Sequence, residues 1–278
     1  MSALFRLLSH CPLWLLHFCG AVLGWLAFAG SAVYRQRFLV NAARAGYRFA
    51  DVRQAVAQAG CMVAELPRLW LGSPPVVRWD RPDLIAQAQA AGRGLVFLTP
   101  HLGCFEITAQ AYAAQFGAAG ANPVTVLYRP ARQVWLRELL LTARQRPGLA
   151  TAPTTLAGVK QLLKALRAGQ AVGLLPDQTP PDGLGVWSPF FGQEAYTMTL
   201  AVRLAIQSNA TVLLVWGERL SWGRGYVVHT RTLSDPLDKD LVRATAQVNA
   251  EMERLIRECP QQYLWGYARY KQPRKEMV

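Results

Sequence analysis

From position 11 to 33 the chain reads CPLWLLHFCGAVLGWLAFAGSAV, twenty-three residues without a formal charge. As a helix at about 1.5 Å per residue this run spans roughly 34 Å, enough to cross a hydrocarbon core of about 30 Å. Trp14, Trp25 and Tyr34 fall where interfacial aromatics would sit. Arg35, Arg37, Arg44, Arg48 and Arg53 follow with only Asp51 opposing, a flank that holds the next domain in the cytoplasm by the positive-inside rule. A cleaved signal peptide competes, with Arg6 as its basic region and Ala27-Phe28-Ala29 as its cleavage site; a buried core helix is a third reading. Length and basic flank favour an uncleaved anchor over residues 1–34, either crossing the bilayer or lying in one leaflet, with a single domain over 35–278.

The pattern then changes twice. Residues 35–92 read as helical, rich in Ala, Gln and Arg and broken at Gly60, Pro67 and the Gly72-Ser73-Pro74-Pro75 turn. Beyond them, short apolar runs bounded by Gly and Pro mark buried strands at 94–99, 123–128, 171–175 and 211–216, with a further strand at 226–230. Amphipathic stretches at 105–116, 132–146, 154–168 and 196–207 alternate with them, and 239–258 reads as a last helix. Strand and helix alternating in this way predict an α/β fold with a mostly parallel central sheet flanked by helices.

Composition narrows the function classes. The 278 residues carry 30 Lys and Arg against 17 Asp and Glu, a net charge of +13, with 52% hydrophobic residues and a mean hydropathy of +0.11. Such a chain is too apolar to be disordered and basic enough to seek an anionic partner. Eight cations against Glu138 alone lie between Tyr128 and Arg167, which concentrates that pull on one surface. Nucleic acid is disfavoured, because neither a recognised module nor an exposed aromatic platform appears. The five cysteines are scattered, with no Cys-x-x-Cys pair, and the four histidines lack metal-ligand spacing, so neither a disulfide framework nor a metal site is expected.

Chemistry concentrates where strands end. After the first apolar strand comes Thr99-Pro100-His101-Leu102-Gly103-Cys104-Phe105-Glu106. Sites in α/β sheets collect at the carboxyl ends of strands. With His101 in the loop and Glu106 in the first turns of the next helix, a carboxylate meets one ring nitrogen and leaves the other to remove a proton. The helix N-terminus offers N–H groups to a developing oxyanion. A hydrogen-bonded structural histidine is the bland alternative. Cys104 invites a nucleophile reading, against which a buried thiol is preferred. Gly-x-Ser-x-Gly, Gly-x-x-x-x-Gly-Lys-Ser/Thr and Gly-x-Gly-x-x-Gly are all absent. Asp177 and Gln178 end another strand, and the following 185–192 segment (GVWSPFFG) is unusually apolar: a pocket wall, a lipid-facing surface, or a loop tucked over the core. His229, in an apolar strand pattern, reads as structural.

Taken in order, these features are specific. They are an apolar N-terminal segment, His101-x4-Glu106, Tyr128-Arg129-Pro130, Arg144-x-Arg146-x-Gly148, Asp177-Gln178, Pro189-Phe190-Phe191-Gly192 with Thr197, and Gln262-Tyr263-Leu264-Trp265 with Arg269. The series resembles the bacterial lipid A late acyltransferases, the lauroyl/myristoyl acyltransferase family related to the glycerolipid acyltransferases, over nearly the whole chain. Two departures stand out: Leu102-Gly103-Cys104-Phe105 replaces the usual aromatic-rich filling, marking an outlying subgroup, and the acidic residue is Glu where Asp is the alternative.

The resemblance implies an enzyme that transfers a fatty acyl chain from acyl carrier protein to a hydroxyl of a lipid A precursor, at the cytoplasmic face of the bacterial inner membrane. It implies His101 as general base with Glu106 its partner, Arg129 or Arg144 binding phosphate or stabilising charge, and Asp177 and Gln178 lining the site. No cofactor is implied beyond the acyl carrier protein as co-substrate. The expected partners are that carrier, a phosphorylated glycolipid acceptor and membrane lipid, and not nucleic acid. Rival readings are the same chemistry on another glycolipid or an aminolipid, a membrane-bound acyl thioesterase, and a non-enzymatic lipid-binding scaffold.

Overall fold

The computed structural model describes residues 2–117, 122–128 and 146–274. The chain starts with helices α1 (Ser2–Ser9) and α2 (Leu13–Gly30), the second made of the uncharged run. Next come α3 (Ala32–Arg44), the single turn α4 (Phe49–Val52), α5 (Gln54–Ala64) and α6 (Leu66–Leu71). Ser31 caps α3 by accepting from the Tyr34 N–H, which supplies a partner for one otherwise unpaired donor. Buried positions of α2 recur at Leu13, Leu16, His17, Gly20, Gly24 and Phe28, one stripe that packs on α5.

The second half of the fold is a sheet. Strands β1 (Val77–Asp80), β2 (Leu95–Leu98), β3 (Val124–Tyr128), β4 (Leu149–Pro153) and β5 (Ala171–Leu174) belong to it, together with two strands from later in the chain. Helices α7 (Pro82–Ala90), α8 (Phe105–Tyr112, continued by a wider turn over Ala113–Gly117) and α9 (Leu156–Arg167) connect them. A hairpin of β6 (Gly185–Phe190) and β7 (Gln193–Met198) stands apart, followed by α10 (Leu200–Ser208). Then β8 (Thr211–Arg219), β9 (Tyr226–Thr232) and α11 (Leu241–Glu258) complete the order. The described sheet has seven strands in the order β1-β9-β8-β2-β5-β3-β4, parallel throughout except between β8 and β9.

Alternation within the strands divides the core. From β2, Val96 and Leu98 point into a large cluster with Phe38, Leu162, Leu174, Met252 and Trp265. Leu95 and Phe97 point the other way, toward Ile85, Tyr112, Val124 and Val215. All four β2 residues are therefore buried, as a strand covered on both faces requires.

Five strands fall where the apolar runs put them, and the fold is the α/β class with a mostly parallel sheet. Three elements differ. β1 interrupts the stretch read as helical, β4 was not foreseen, and 185–198 forms a hairpin rather than a loop leading into a helix. The helix expected over 132–146 lies almost wholly outside the described residues. Phe190 and Phe191 are 2% and 6% exposed and tucked into the main core, which is the plainest of the three readings of that apolar segment.

Candidate active site

β2 and β5 are neighbours with Leu98 opposite Leu174, so the residues three beyond each, His101 and Asp177, emerge side by side at the carboxyl edge of the sheet. One carboxylate then holds the histidine twice. Asp177 Oδ2 accepts from the His101 backbone N–H at 2.8 Å, and Oδ1 lies 2.7 Å from the ring Nδ1. Burial opposes ionisation of Asp177, but the charge of His101 and its two hydrogen bonds outweigh it and hold the carboxyl below its ordinary value. In the neutral imidazole an ionised Asp177 holds the ring proton on Nδ1, which leaves the lone pair on Nε2. That nitrogen lies 3.0 Å from Gln178 Nε2, whose amide N–H donates to it in this assignment. The Phe105 ring packs edge-on against the imidazole at 5.0 Å.

The loop between β2 and α8 is strapped from behind. Gly103 has φ +60°, a left-handed conformation, and a methyl there would overlap the Gly217 carbonyl oxygen, so only glycine fits. Its N–H donates to the Gln262 carbonyl at 3.0 Å, the Cys104 N–H to the Gly217 carbonyl at 2.7 Å, and the Leu264 N–H to the His101 carbonyl at 3.2 Å. Arg219, at the end of β8, donates to the Gly103 carbonyl at 3.2 Å. Its guanidinium forks onto Glu65, at 2.7 and 2.5 Å, and reaches Gln58 at 2.6 Å. His17 of α2 and the Tyr226 hydroxyl also meet Glu65, at 3.0 and 2.9 Å. Burial works against the Glu65 charge, but Arg219 prevails and brings its carboxyl to about 2. Cys104 is buried beside this pair; burial first, then the Glu65 charge, push its thiol well above the ordinary range. That environment suits an inert thiol, not a nucleophile.

Glu106 stands in the first turn of α8 and accepts from the Trp70 indole N–H at 3.3 Å. The carboxylate on the His101 ring is thus Asp177, while Glu106 shares a cavity with it. That cavity holds about 830 Å³ and reaches from His101, Glu106 and Gln178 past Phe97, Tyr112, Val126 and Val215. Apolar side chains make up much of its wall, with His101, Glu106 and Gln178 among its polar lining, a composition fitted to a long apolar ligand that meets a few polar groups. Among the described lining residues, Arg203 is the one Lys or Arg.

Arg129 and Arg144 lie outside the described residues. Arg146 of the same motif donates to the Leu69 and Trp70 carbonyls, at 2.5 and 3.1 Å. Arg269 is buried and bonds the Tyr196 carbonyl and the Thr197 hydroxyl, pinning the β6–β7 hairpin. His229 bridges Asp80 and Glu218, at 3.0 and 2.9 Å, and stacks on Trp216, a structural tie between β1, β8 and β9. Sequence reading missed Arg219 and Glu65. A faint signal existed, since Glu65 is the single charge between Arg53 and Arg68.

A histidine held by a buried carboxylate, on the wall of a largely apolar cavity at the carboxyl edge of a mostly parallel sheet, defines a pocket suited to a long apolar ligand. The chain belongs to the bacterial lipid A biosynthesis acyltransferase family, whose model matches residues 1–272. It is 28% identical over 202 residues to a lipid A biosynthesis lauroyltransferase of Escherichia coli (strain K12), a match covering 70% of this chain and 63% of that protein. A lipid A biosynthesis palmitoleoyltransferase of the same strain is 25% identical over 190 residues, 68% of this chain and 60% of the relative. A lipid A biosynthesis acyltransferase of Haemophilus influenzae is 25% identical over 181 residues, 65% and 55% respectively. Each match spans less than two thirds of the relative's own length.

Proposed function

We propose that this protein is an O-acyltransferase that moves a fatty acyl chain from acyl carrier protein to a hydroxyl of a lipid A precursor, at the cytoplasmic face of the bacterial inner membrane. The observation that carries the reading is His101, braced by Asp177, on the wall of the largely apolar cavity. Asp177 keeps the proton on Nδ1, so Nε2 is the base. The acceptor hydroxyl displaces Gln178 from Nε2 and gives up its proton as its oxygen attacks the thioester carbonyl carbon. The tetrahedral intermediate expels the carrier thiolate, which recovers that proton from His101. No covalent enzyme intermediate is needed, in keeping with the buried Cys104.

Further residues take supporting roles in this reading. The acyl chain lies along Phe97, Val126 and Val215, where burial favours it by about 0.8 kcal/mol per methylene. Glu106, on the wall of the same cavity, adds a negative charge that favours the imidazolium formed during transfer. Arg129 and Arg144 would bind the acceptor phosphate or stabilise charge.

The test is an assay with acyl carrier protein thioesters of varied length and a lipid A precursor, read by mass spectrometry. His101→Ala should lower turnover by orders of magnitude with the fold intact. Near-normal transfer by that variant would overturn the mechanism. Fatty acid released without an acylated acceptor would point to a thioesterase instead. Transfer only to another glycolipid or an aminolipid would keep the chemistry and change the substrate.

A further inference from the structure

The apolar helix α2 is joined to the catalytic domain along its whole length. Its inner stripe reaches from Leu13 to Phe28. At the crossing with α5 the backbones touch, and a methyl at Gly60 would overlap the Gly20 carbonyl oxygen. Polar bonds lock the contact: His17 Nε2 to Glu65 at 3.0 Å, and the Cys61 thiol to the His17 carbonyl at 3.1 Å. Three hydrogen bonds in series, His17 to Glu65, Glu65 to Arg219 and Arg219 to the Gly103 carbonyl, link this helix to the catalytic loop.

Its outer face is different. Trp14, Phe18, Leu23, Trp25 and Leu26 are 40–65% exposed. Beside the first turn of α2 lies the turn between β8 and β9, where Gly223 presses on the Trp14 backbone. That turn holds Trp222 at φ +61° with 86% of its surface exposed. A left-handed tryptophan aimed at solvent, continuous with an uncharged helix face, is a larger apolar patch than a water-soluble surface tolerates. Exposed cations flank it along the chain, Arg6 on α1 and Arg37 on α3, with Arg224 next to Trp222, and the one carboxylate in the first 64 residues, Asp51, is paired with Arg48.

We propose that α2 does not cross the membrane but lies in one leaflet of an anionic bilayer, outer face down, with Trp222 as a second point of insertion. A crossing helix would draw α5 toward the hydrocarbon, because α5 is packed on it, and with it the Glu65–Arg219 pair and the loop bonded to that pair. Detaching α2 instead would leave Glu65 without His17 and open the glycine contact. Aromatics over a basic frame are what an anionic interface recruits. The N-terminus then stays on the same side of the membrane as the catalytic domain.

This inference rests on the reading that the protein works on lipid, and its test is separable from that reading. In full-length protein with Cys11, Cys19 and Cys259 changed to Ser, Ser2→Cys and Asp235→Cys are each labelled with a membrane-impermeant maleimide, in inverted and in right-side-out membranes. Both positions should react from the same face. Reaction of Ser2→Cys from the face opposite Asp235→Cys overturns the proposal. In a second measurement, Trp14→Ala/Trp222→Ala should partition into phosphatidylglycerol-containing vesicles about tenfold or more weakly than wild type. Partitioning equal to wild type overturns it too. Acyl transfer by the same variants in detergent, where docking to a bilayer is not required, reports on the functional reading alone.

Discussion

Asp177→Asn separates the two carboxylates near His101. The native contact is short, 2.7 Å to the ring Nδ1, and Asp177 is only 2% exposed, so solvent cannot replace it. Loss of one charge-assisted hydrogen bond is worth about 1.5–3 kcal/mol, hence about 10- to 150-fold in kcat/KM. A further effect follows from the second bond. Asn has one acceptor oxygen for two donors, the backbone N–H at 2.8 Å and the ring N–H. Whichever it serves, the amide N–H faces the other. If that other is the ring, the tautomer inverts and Nε2 becomes a donor instead of a base. The same change in a serine-protease triad costs about 10⁴. The expected loss is therefore at least about 100-fold in kcat with KM for the thioester little changed, measured with purified protein and acyl carrier protein thioester. Circular dichroism and urea unfolding control for folding. Glu106→Gln in parallel should cost less. An Asp177→Asn enzyme with a third or more of native kcat, beside an inactive Glu106→Gln, would refute the reasoning and return the partner role to Glu106.

Arg219→Met leaves Glu65 buried without its main counter-charge and should destabilise the fold by about 3–5 kcal/mol in urea unfolding, whereas Glu65→Leu/Arg219→Met should recover part of that loss. The Glu65 carboxyl is depressed to about 2 from 4.5, so its stabilising contribution is full above about pH 4.5 and is lost as pH falls toward 2. Wild type should therefore lose stability from pH 5 to 3 more steeply than the double variant, and equal slopes would contradict the assignment. Cys104→Ala should keep about half or more of wild-type turnover, because its thiol is protonated and buried; trapping of an acyl adduct on the wild-type cysteine would be the contrary result. Gly103→Ala combines at least 1–2 kcal/mol of left-handed strain with overlap on Gly217. It should lower both melting temperature and turnover, and a variant neutral in both would show that the loop is not held as described.

Strands deep in the sheet were readable because burial on both faces writes a continuous apolar run, as in Leu95-Val96-Phe97-Leu98 and Ala171-Val172-Gly173-Leu174. The edges were not. β1 carries Arg78 and Asp80, and β4 ends in Pro153, so neither shows a run; both lie at the margins of the sheet, where pairing on one side is enough. His101, Asp177 and Gln178 were each recognisable, since each follows a buried strand. Their meeting was not, because 76 residues separate His101 from Asp177 and only strand order brings β5 beside β2. Glu106 drew attention as partner through nearness in sequence, while the contact that forms depends on the sheet register. Arg219 was hidden differently: it ends a strand next to Glu218, after an apolar run over 212–217, and its partner in the fold is the distant Glu65.

Gln178 gives the site a resting state. Its amide already occupies the lone pair of His101, so any hydroxyl arriving there exchanges one hydrogen bond for another and gains little from the nitrogen itself. A stray water and an alcohol thus compete on even terms at that atom. In the proposed reaction, what decides between them is everything else the incoming molecule can grip, so that the histidine would act poorly on passers-by and well on a ligand held elsewhere. Selectivity against hydrolysis then resides in the walls of the cavity and the surface around it, and not in the base.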